Sequence, residues 1–300
     1  MDRRQFARAA VALAAAGPVA RALAWDDGAQ KKWGQSAAAR WQAIEASVGG
    51  RLGVAVLDTA DDTLQGRRLD ERFPMCSTFK TLAASLVLAR VDAGEERLDR
   101  RIVVAPADLL EWAPVTRKHV GSAMSVAELC EAAITVSDNT AANLLLASAG
   151  GPAGVTAFAR RLGDDVTRLD RTEPTLNEAV PADPRDTSTP RAMATTLRAL
   201  MLGDALSAAG RVQLVAWMTA NTTGGQRLRA GLPADWRVAD KTGTGSRGST
   251  NDMGVLWPPR GAPLVVVSYL TECSAKSEAR EAALADVARV VAGTRWTPAA

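Results

Sequence analysis

Residues 51–59 read RLGVAVLDT and residues 263–270 read PLVVVSYL, two β-rich runs at opposite ends of a 300-residue chain. The first leads into turn-prone Ala60-Asp61-Asp62, which predicts a strand and a hairpin. The second closes a series of strand-like runs that includes WRVAD at 236–240 and DMGVLW at 252–257. Between them the apolar spacing turns helical. It does so from Ser77 to Val91 and again through Val136, after a capping box in which Ser125 and Glu128 satisfy orphan N–H groups. Thr189-Pro190, an N-cap with proline at the first helical position, opens a helix containing ATTLRALML, and a last helix is expected from about Ser277 to Val291. Strands at both ends enclosing a helical middle imply an α/β (α+β) fold: an antiparallel sheet flanked by helices and completed by both termini, plus an all-helical insertion.

Three hundred residues can bury a substantial core, so a small stapled scaffold is excluded. The formal charge of +3 comes from the first 24 residues. They hold four of the 36 basic residues, Arg3, Arg4, Arg8 and Arg21, but only Asp2 of the 33 acidic ones, which leaves 32 of each sign in the rest. Nothing in that balance argues for nucleic acid. The same 24 residues read as an export signal: Arg3-Arg4-Gln5-Phe6, the weakly apolar run AAVALAAAGPVA, then Ala22-Leu23-Ala24 before Trp25. An arginine pair followed by x-Phe is similar to twin-arginine signals, and an ordinary secretory signal is the alternative; either places the mature chain in the periplasm. No later run reaches the ~18 apolar residues of a membrane span. Cys76, Cys130 and Cys273 form no CxxC or Cys/His cluster with the single histidine, His119, so no metal site is expected.

Ser77-Thr78-Phe79-Lys80 puts a hydroxyl and an amine on one helix face, where a helix N-terminus and a neighbouring base favour an alkoxide. Alone it reads as well as a capping serine with a solvated lysine. Ser137-Asp138-Asn139 alone is an N-cap turn, and Lys241-Thr242-Gly243 alone is a strand terminus. A phosphate loop is excluded at the last, since Ala239-Asp240 stand where glycines would be needed. Between the second and third motifs lies RTEPTLN, 171–177, in which Pro174 holds Glu173 in an irregular loop.

Taken together and in this order, S-x-x-K, S-D-N, the glutamate loop and K-T-G resemble the class A serine β-lactamases, from about residue 40 to the C-terminus. The resemblance implies hydrolysis of the β-lactam amide through an acyl-enzyme, without cofactor, by a monomer. Ser77 would be the nucleophile and Lys80 its proton partner, Ser137 would protonate the leaving nitrogen, and Asn139 would bind the substrate side-chain amide. Lys241, Thr242 and Thr244 would hold the substrate carboxylate, with the backbone N–H groups of Ser77 and Thr244 as oxyanion hole. Asp138 would be structural. Glu173 and Asn177 would hold the deacylating water, beside a cis Glu173–Pro174 bond. Arg171 and Asp186 would close an Ω-loop over 171–186, and Trp112 would stand at the site mouth. The implied division is an α/β domain of 25–75 and 220–300 around a helical domain of 76–219. A penicillin-binding DD-peptidase and a β-lactam sensor share the serine–lysine machinery; the Glu173 loop argues against both.

Some positions depart from the family pattern. The resemblance implies two disulfide positions that this chain cannot use: some members bridge the residue at Cys76 to a cysteine that falls at Gly245 here, and others bridge the one at Cys130 to a position held by Ala84, so three free thiols are expected. Many class A enzymes carry a carboxylate-binding arginine where this chain has Thr250. Others supply it from a preceding segment, at a position matched by Arg227, with neighbouring Arg229 as its rival.

Overall fold

A computed structural model of the protein describes residues 27–295; the export signal expected over 1–24 lies outside them. The chain opens with α1 (Asp27–Val48), then the hairpin β1 (Arg51–Asp58) and β2 (Thr63–Arg67). Its C-terminal part supplies β7 (Arg237–Thr244), β8 (Thr250–Trp257), β9 (Leu264–Thr271) and α8 (Ser277–Arg295). These strands form one five-stranded sheet in the order β2-β1-β9-β8-β7, antiparallel throughout, so the two ends of the sequence meet at the β1–β9 pairing.

Both faces of this sheet are buried, which is why its inner strands read as continuous apolar runs rather than as alternations. Leu52, Val54 and Val56 of β1 face Trp41 of α1 and Leu284, Val287 and Val291 of α8. Ala55 and Leu57 point the other way, into a larger core with Val265, Val267 and Tyr269 of β9 and the central helices. Those helices are α2 (Phe79–Asp92), α3 (Val126–Thr135), α4 (Asn139–Ser148), α5 (Gly151–Arg161), α6 (Pro190–Met201) and α7 (Ala208–Thr219). Two short ribbons complete the chain, β3 (Phe73–Pro74) with β6 (Thr187–Ser188) and β4 (Arg101–Val103) with β5 (Ala123–Ser125). The caps expected at Ser125 and Thr189 form: Glu128 N donates to Ser125 Oγ at 3.2 Å and Ala192 N to Thr189 Oγ1 at 3.2 Å. No helix of the described residues is long and apolar enough to cross a membrane.

The α1–β1 turn uses Gly49 and Gly50 at φ +70° and +82°, and a Cβ on Gly50 would lie 2.6 Å from the Thr271 carbonyl. Just before it, Glu45 accepts from Leu52 N at 2.8 Å, from Arg68 Nε at 2.7 Å and from Arg67, tying α1 to the sheet. Burial alone would raise this carboxyl, but the hydrogen bonds from Arg68 and Arg67 outweigh it and hold its pKa at about 2. A carboxylate depressed in this way adds stability above its unfolded pKa and loses it as pH falls through the folded one. Glu45→Gln is therefore expected to cost about 3 kcal/mol at pH 7. In urea unfolding across pH, the gap to wild type should close between pH 4.5 and about 2; a gap independent of pH would refute the assignment.

Candidate active site

The nucleophile turn differs in detail from the expected helix start. Cys76–Thr78 form a single 3-10 turn, and α2 begins only at Phe79. The Thr78 hydroxyl donates back to Met75 O at 2.7 Å, and Cys76 adopts φ +47°, so the chain enters the helix through a sharp bend. β7 lies against this bend. A Cβ on Gly243 would sit 2.8 Å from Met75 O, and one on Gly245 would sit 2.6 Å from Cys76 Sγ. Glycine in K-T-G thus serves a close approach of strand and nucleophile rather than a bend. Serine and lysine of S-x-x-K still share a face, and both meet one carboxylate.

That carboxylate is Glu173, fully buried at its side chain. Ser77 Oγ donates to Glu173 Oε1 at 3.1 Å, Lys80 Nζ lies 3.1 Å from the same oxygen, and Asn177 Nδ2 donates to Oε2 at 2.5 Å. The Ω-loop presents it: Arg171 Nε donates to Asp186 Oδ2 at 2.6 Å, and Glu173–Pro174 is cis, both as expected. Asn143 was not foreseen. Its side chain accepts from Glu173 N at 3.0 Å and donates to Glu173 O at 2.9 Å, a two-point clamp on the backbone of the glutamate. Its sequence signal was available, since Asn143 follows Asn139 by four residues and so shares its helix face.

Lys80 Nζ also donates to Ser137 O at 2.9 Å, to Ser137 Oγ at 3.2 Å and to Asn139 Oδ1 at 2.6 Å. Burial pushes the Lys80 pKa down while Glu173 opposes the fall. Lys241 Nζ, also wholly buried, donates to Ser137 Oγ at 3.1 Å; burial, then Lys80 and Arg227, lower its pKa well below the usual ammonium range. Ser137 Oγ thus accepts from two amines, and its own hydrogen is left to point into the cleft. Ser137 itself is held at φ +58°, a costly conformation for serine that the surrounding bonds fix. Asp138 turns away and is structural: it caps α4 through Ala141 N at 2.9 Å and accepts from Thr116 N at 2.9 Å.

These groups surround one cleft of about 570 Å³ lined by Ser77, Ser137, Asn139, Asn177, Thr242 and Thr244. Lys80, Glu173 and Lys241 lie beneath its floor. Trp112 stands at its edge, 56% exposed, with its ring N–H on Val136 O at 3.1 Å. Arg227 also reaches the cleft, where its Nη2 donates to Thr244 Oγ1 at 2.8 Å. Arg229 points elsewhere, pairing with buried Asp240 at 2.6 Å. Thr250, opposite Thr244 in the β7–β8 register, accepts from Arg280 Nε at 3.0 Å. Among the described residues, no three His, Cys, Asp or Glu side chains converge as metal ligands.

All three cysteines are free and buried, and burial, foremost, pushes the Cys76 thiol up to about 12. Thiol counting on the unreduced protein should give three per chain in denaturant and far slower labelling in the native state; fewer than three in denaturant would mean a bridge has formed.

Fold and cleft together are those of a serine hydrolase of the acyl-enzyme class. The model of the beta-lactamase enzyme family matches residues 36–294, and the chain belongs to that family, among its class A serine members. It is 53% identical over 249 residues to beta-lactamase CTX-M-8 of Citrobacter amalonaticus, covering 83% of this chain and 86% of the relative. Beta-lactamase OXY-2 of Klebsiella oxytoca is 53% identical over 248 residues, with the same two coverages of 83% and 86%. An ancestral (GNCA) class A beta-lactamase structure superposes with a TM-score of 0.84 at 65% identity, over 85% of this chain and 98% of its own. The protein is accordingly a β-lactam hydrolase of the kind that confers resistance.

Proposed function

We propose that Ser77 Oγ attacks the β-lactam carbonyl while its proton passes to the carboxylate of Glu173, to which it is hydrogen-bonded at 3.1 Å. The C–N bond then breaks, and Ser137, whose hydrogen faces the cleft, protonates the departing nitrogen. Lys80 and Lys241 hold Ser137 in place; Lys80, 3.2 Å from Ser137 Oγ and 3.1 Å from Glu173 Oε1, restores the Ser137 proton and takes in exchange the one left on Glu173, which is then a carboxylate again. The carbonyl oxygen is held by the N–H groups of Ser77 and Thr244. A water positioned by Glu173 and Asn177 next gives its proton to Glu173 and attacks the ester carbonyl; the C–Oγ bond breaks, Glu173 passes the proton to Ser77 Oγ, and the product acid leaves. Asn139 binds the substrate side-chain amide, and Lys241, Thr242 and Thr244 bind its carboxylate, with Arg227 behind them and Trp112 closing the mouth.

The observation that carries this reading is the single Glu173 carboxylate shared by Ser77, Lys80 and Asn177. A DD-peptidase or sensor built on the same serine and lysine needs no such group, because it remains acylated by penicillin. The supporting experiment is the turnover of penicillins and cephalosporins by the purified enzyme and its Glu173 variant. The same reading places the mature enzyme in the periplasm as a monomer, exported by the arginine-pair signal of 1–24 and built from the α/β and helical units expected above. A fusion of residues 1–24 to a reporter, compared with its Arg3→Lys, Arg4→Lys variant, tests the route.

A further inference from the structure

The bend that carries Ser77 is strained, since Cys76 holds φ +47°, and such a conformation persists only where the surroundings fix it. Two bonds close the bend on itself: Thr78 N and Thr78 Oγ1 both donate to Met75 O, at 3.2 and 2.7 Å. They shape the turn but cannot place it relative to the rest of the site. Placement needs contacts from outside, and two segments supply them. Met75 N donates to Asp186 O of the Ω-loop at 2.9 Å. Asn251 Nδ2, from β8, donates to Pro74 O at 2.8 Å and to Met75 O at 3.0 Å, so both hydrogens of one amide grip consecutive carbonyls just ahead of the nucleophile.

Stability does not account for this amide. Asn251 is wholly buried and its Oδ1 has no hydrogen-bond partner among the described residues, an arrangement that costs folding free energy. Nor can the side chain turn over, because its oxygen would then face the two carbonyls. Its place in the sheet sets it apart from Asp186. Asn251 pairs with Gly243 in the β7–β8 register, one residue before Thr244. A Cβ on Gly243 would lie 2.8 Å from Met75 O and 3.3 Å from Asn251 Cβ, so the nucleophile bend, the amide and β7 meet at one point. Asp186 holds the bend to a loop, whereas Asn251 holds it to the strand hydrogen-bonded to the one that carries Thr244.

We infer that Asn251 is a positioning residue that sets the gap between the two halves of the oxyanion hole: by holding the carbonyls of Pro74 and Met75 to β8, it fixes the Ser77 N–H against the Thr244 N–H on the neighbouring strand. The inference rests on the reading of those two N–H groups as the pair that receives the β-lactam carbonyl oxygen. Such donors act only at the distance the developing oxyanion requires. A bend free to drift therefore slows acylation and leaves the acyl ester less polarised, without disturbing the groups that bind substrate beforehand.

Asn251→Leu tests it, since the new side chain is close in size and carries no donor. With enzyme in excess over a chromogenic cephalosporin, a single turnover reads ring opening and therefore acylation, and its dependence on enzyme concentration separates the limiting rate from half-saturation. The limiting rate is expected to fall by about 10- to 100-fold, with half-saturation within about threefold of wild type and the melting temperature nearly unchanged. The second readout is spectroscopic. In the Glu173→Gln background, where the ester accumulates, Asn251→Leu should move the infrared band of the acyl carbonyl to higher wavenumber, because the hydrogen bonds that polarise it are weakened. An unchanged limiting rate, a loss carried by half-saturation, or a slower rate with the band unmoved would overturn the role of Asn251 while leaving the acyl-enzyme in place. A wild-type enzyme that opens no ring, or a Glu173→Gln enzyme that accumulates no ester, would overturn the reading on which it rests. If Asn251→Leu folds poorly, Asn251→Ala is measured in the same way, with rates normalised to the fraction of enzyme that penicillin acylates.

Discussion

Ser77→Ala is expected to abolish turnover, with kcat falling by roughly 10⁴- to 10⁶-fold as for removal of other serine nucleophiles. Covalent labelling by penicillin should vanish with it. Ser77 contributes one hydroxyl to the cleft and a single hydrogen bond to Glu173, so its truncation opens no cavity of consequence and the fold should survive. Intact-protein mass spectrometry after penicillin exposure separates the cases. A stable adduct on the variant would assign the nucleophile elsewhere.

Glu173→Gln should trap the acyl-enzyme, because an amide keeps the shape and the contact to Asn177 but cannot take a proton from water. The loss in deacylation should be about 10²- to 10⁴-fold. Acylation should suffer less, for a reason visible in the electrostatics. Burial lowers the Lys80 pKa and the Glu173 charge opposes it. Without that charge the amine neutralises more easily, and a neutral Lys80 can accept the Ser77 proton in place of the carboxylate. Stopped-flow kinetics should therefore show a burst close to one equivalent followed by a slow steady state. Collapse of turnover without a burst would mean that Lys80 cannot take the place of Glu173 in acylation.

The sheet was legible because its inner strands are buried on both faces and announce themselves as apolar runs, and the caps at Ser125 and Thr189 were legible because they are local. The four motifs placed Ser77, Lys80, Ser137, Glu173 and Lys241, which the fold brings together from the 3-10 turn before α2, α2 itself, the α3–α4 turn, the Ω-loop and β7. Glu281, which accepts from Arg227 Nη2 at 3.2 Å, and Asn251, whose side chain donates to Met75 O at 3.0 Å, were not legible in the same way. Each acts by bonding backbone or side chain of a residue far away in sequence, and an isolated polar residue on a helix or strand carries no local mark of its partner. Arg227 shows the limit from the other side. Sequence could point to the residue, but only the full set of its acceptors, Gly243, Asn251, Thr244 and Glu281, shows that its donors are taken.

The most direct test of an acylating serine served by a deacylating glutamate is the number of chromogenic cephalosporin molecules opened per enzyme molecule. Stoichiometric labelling of Ser77 is followed alongside. Many turnovers, with the Ser77 adduct appearing and decaying in wild type and persisting in Glu173→Gln, is the predicted result; one equivalent opened, with a wild-type adduct that stays, would contradict it.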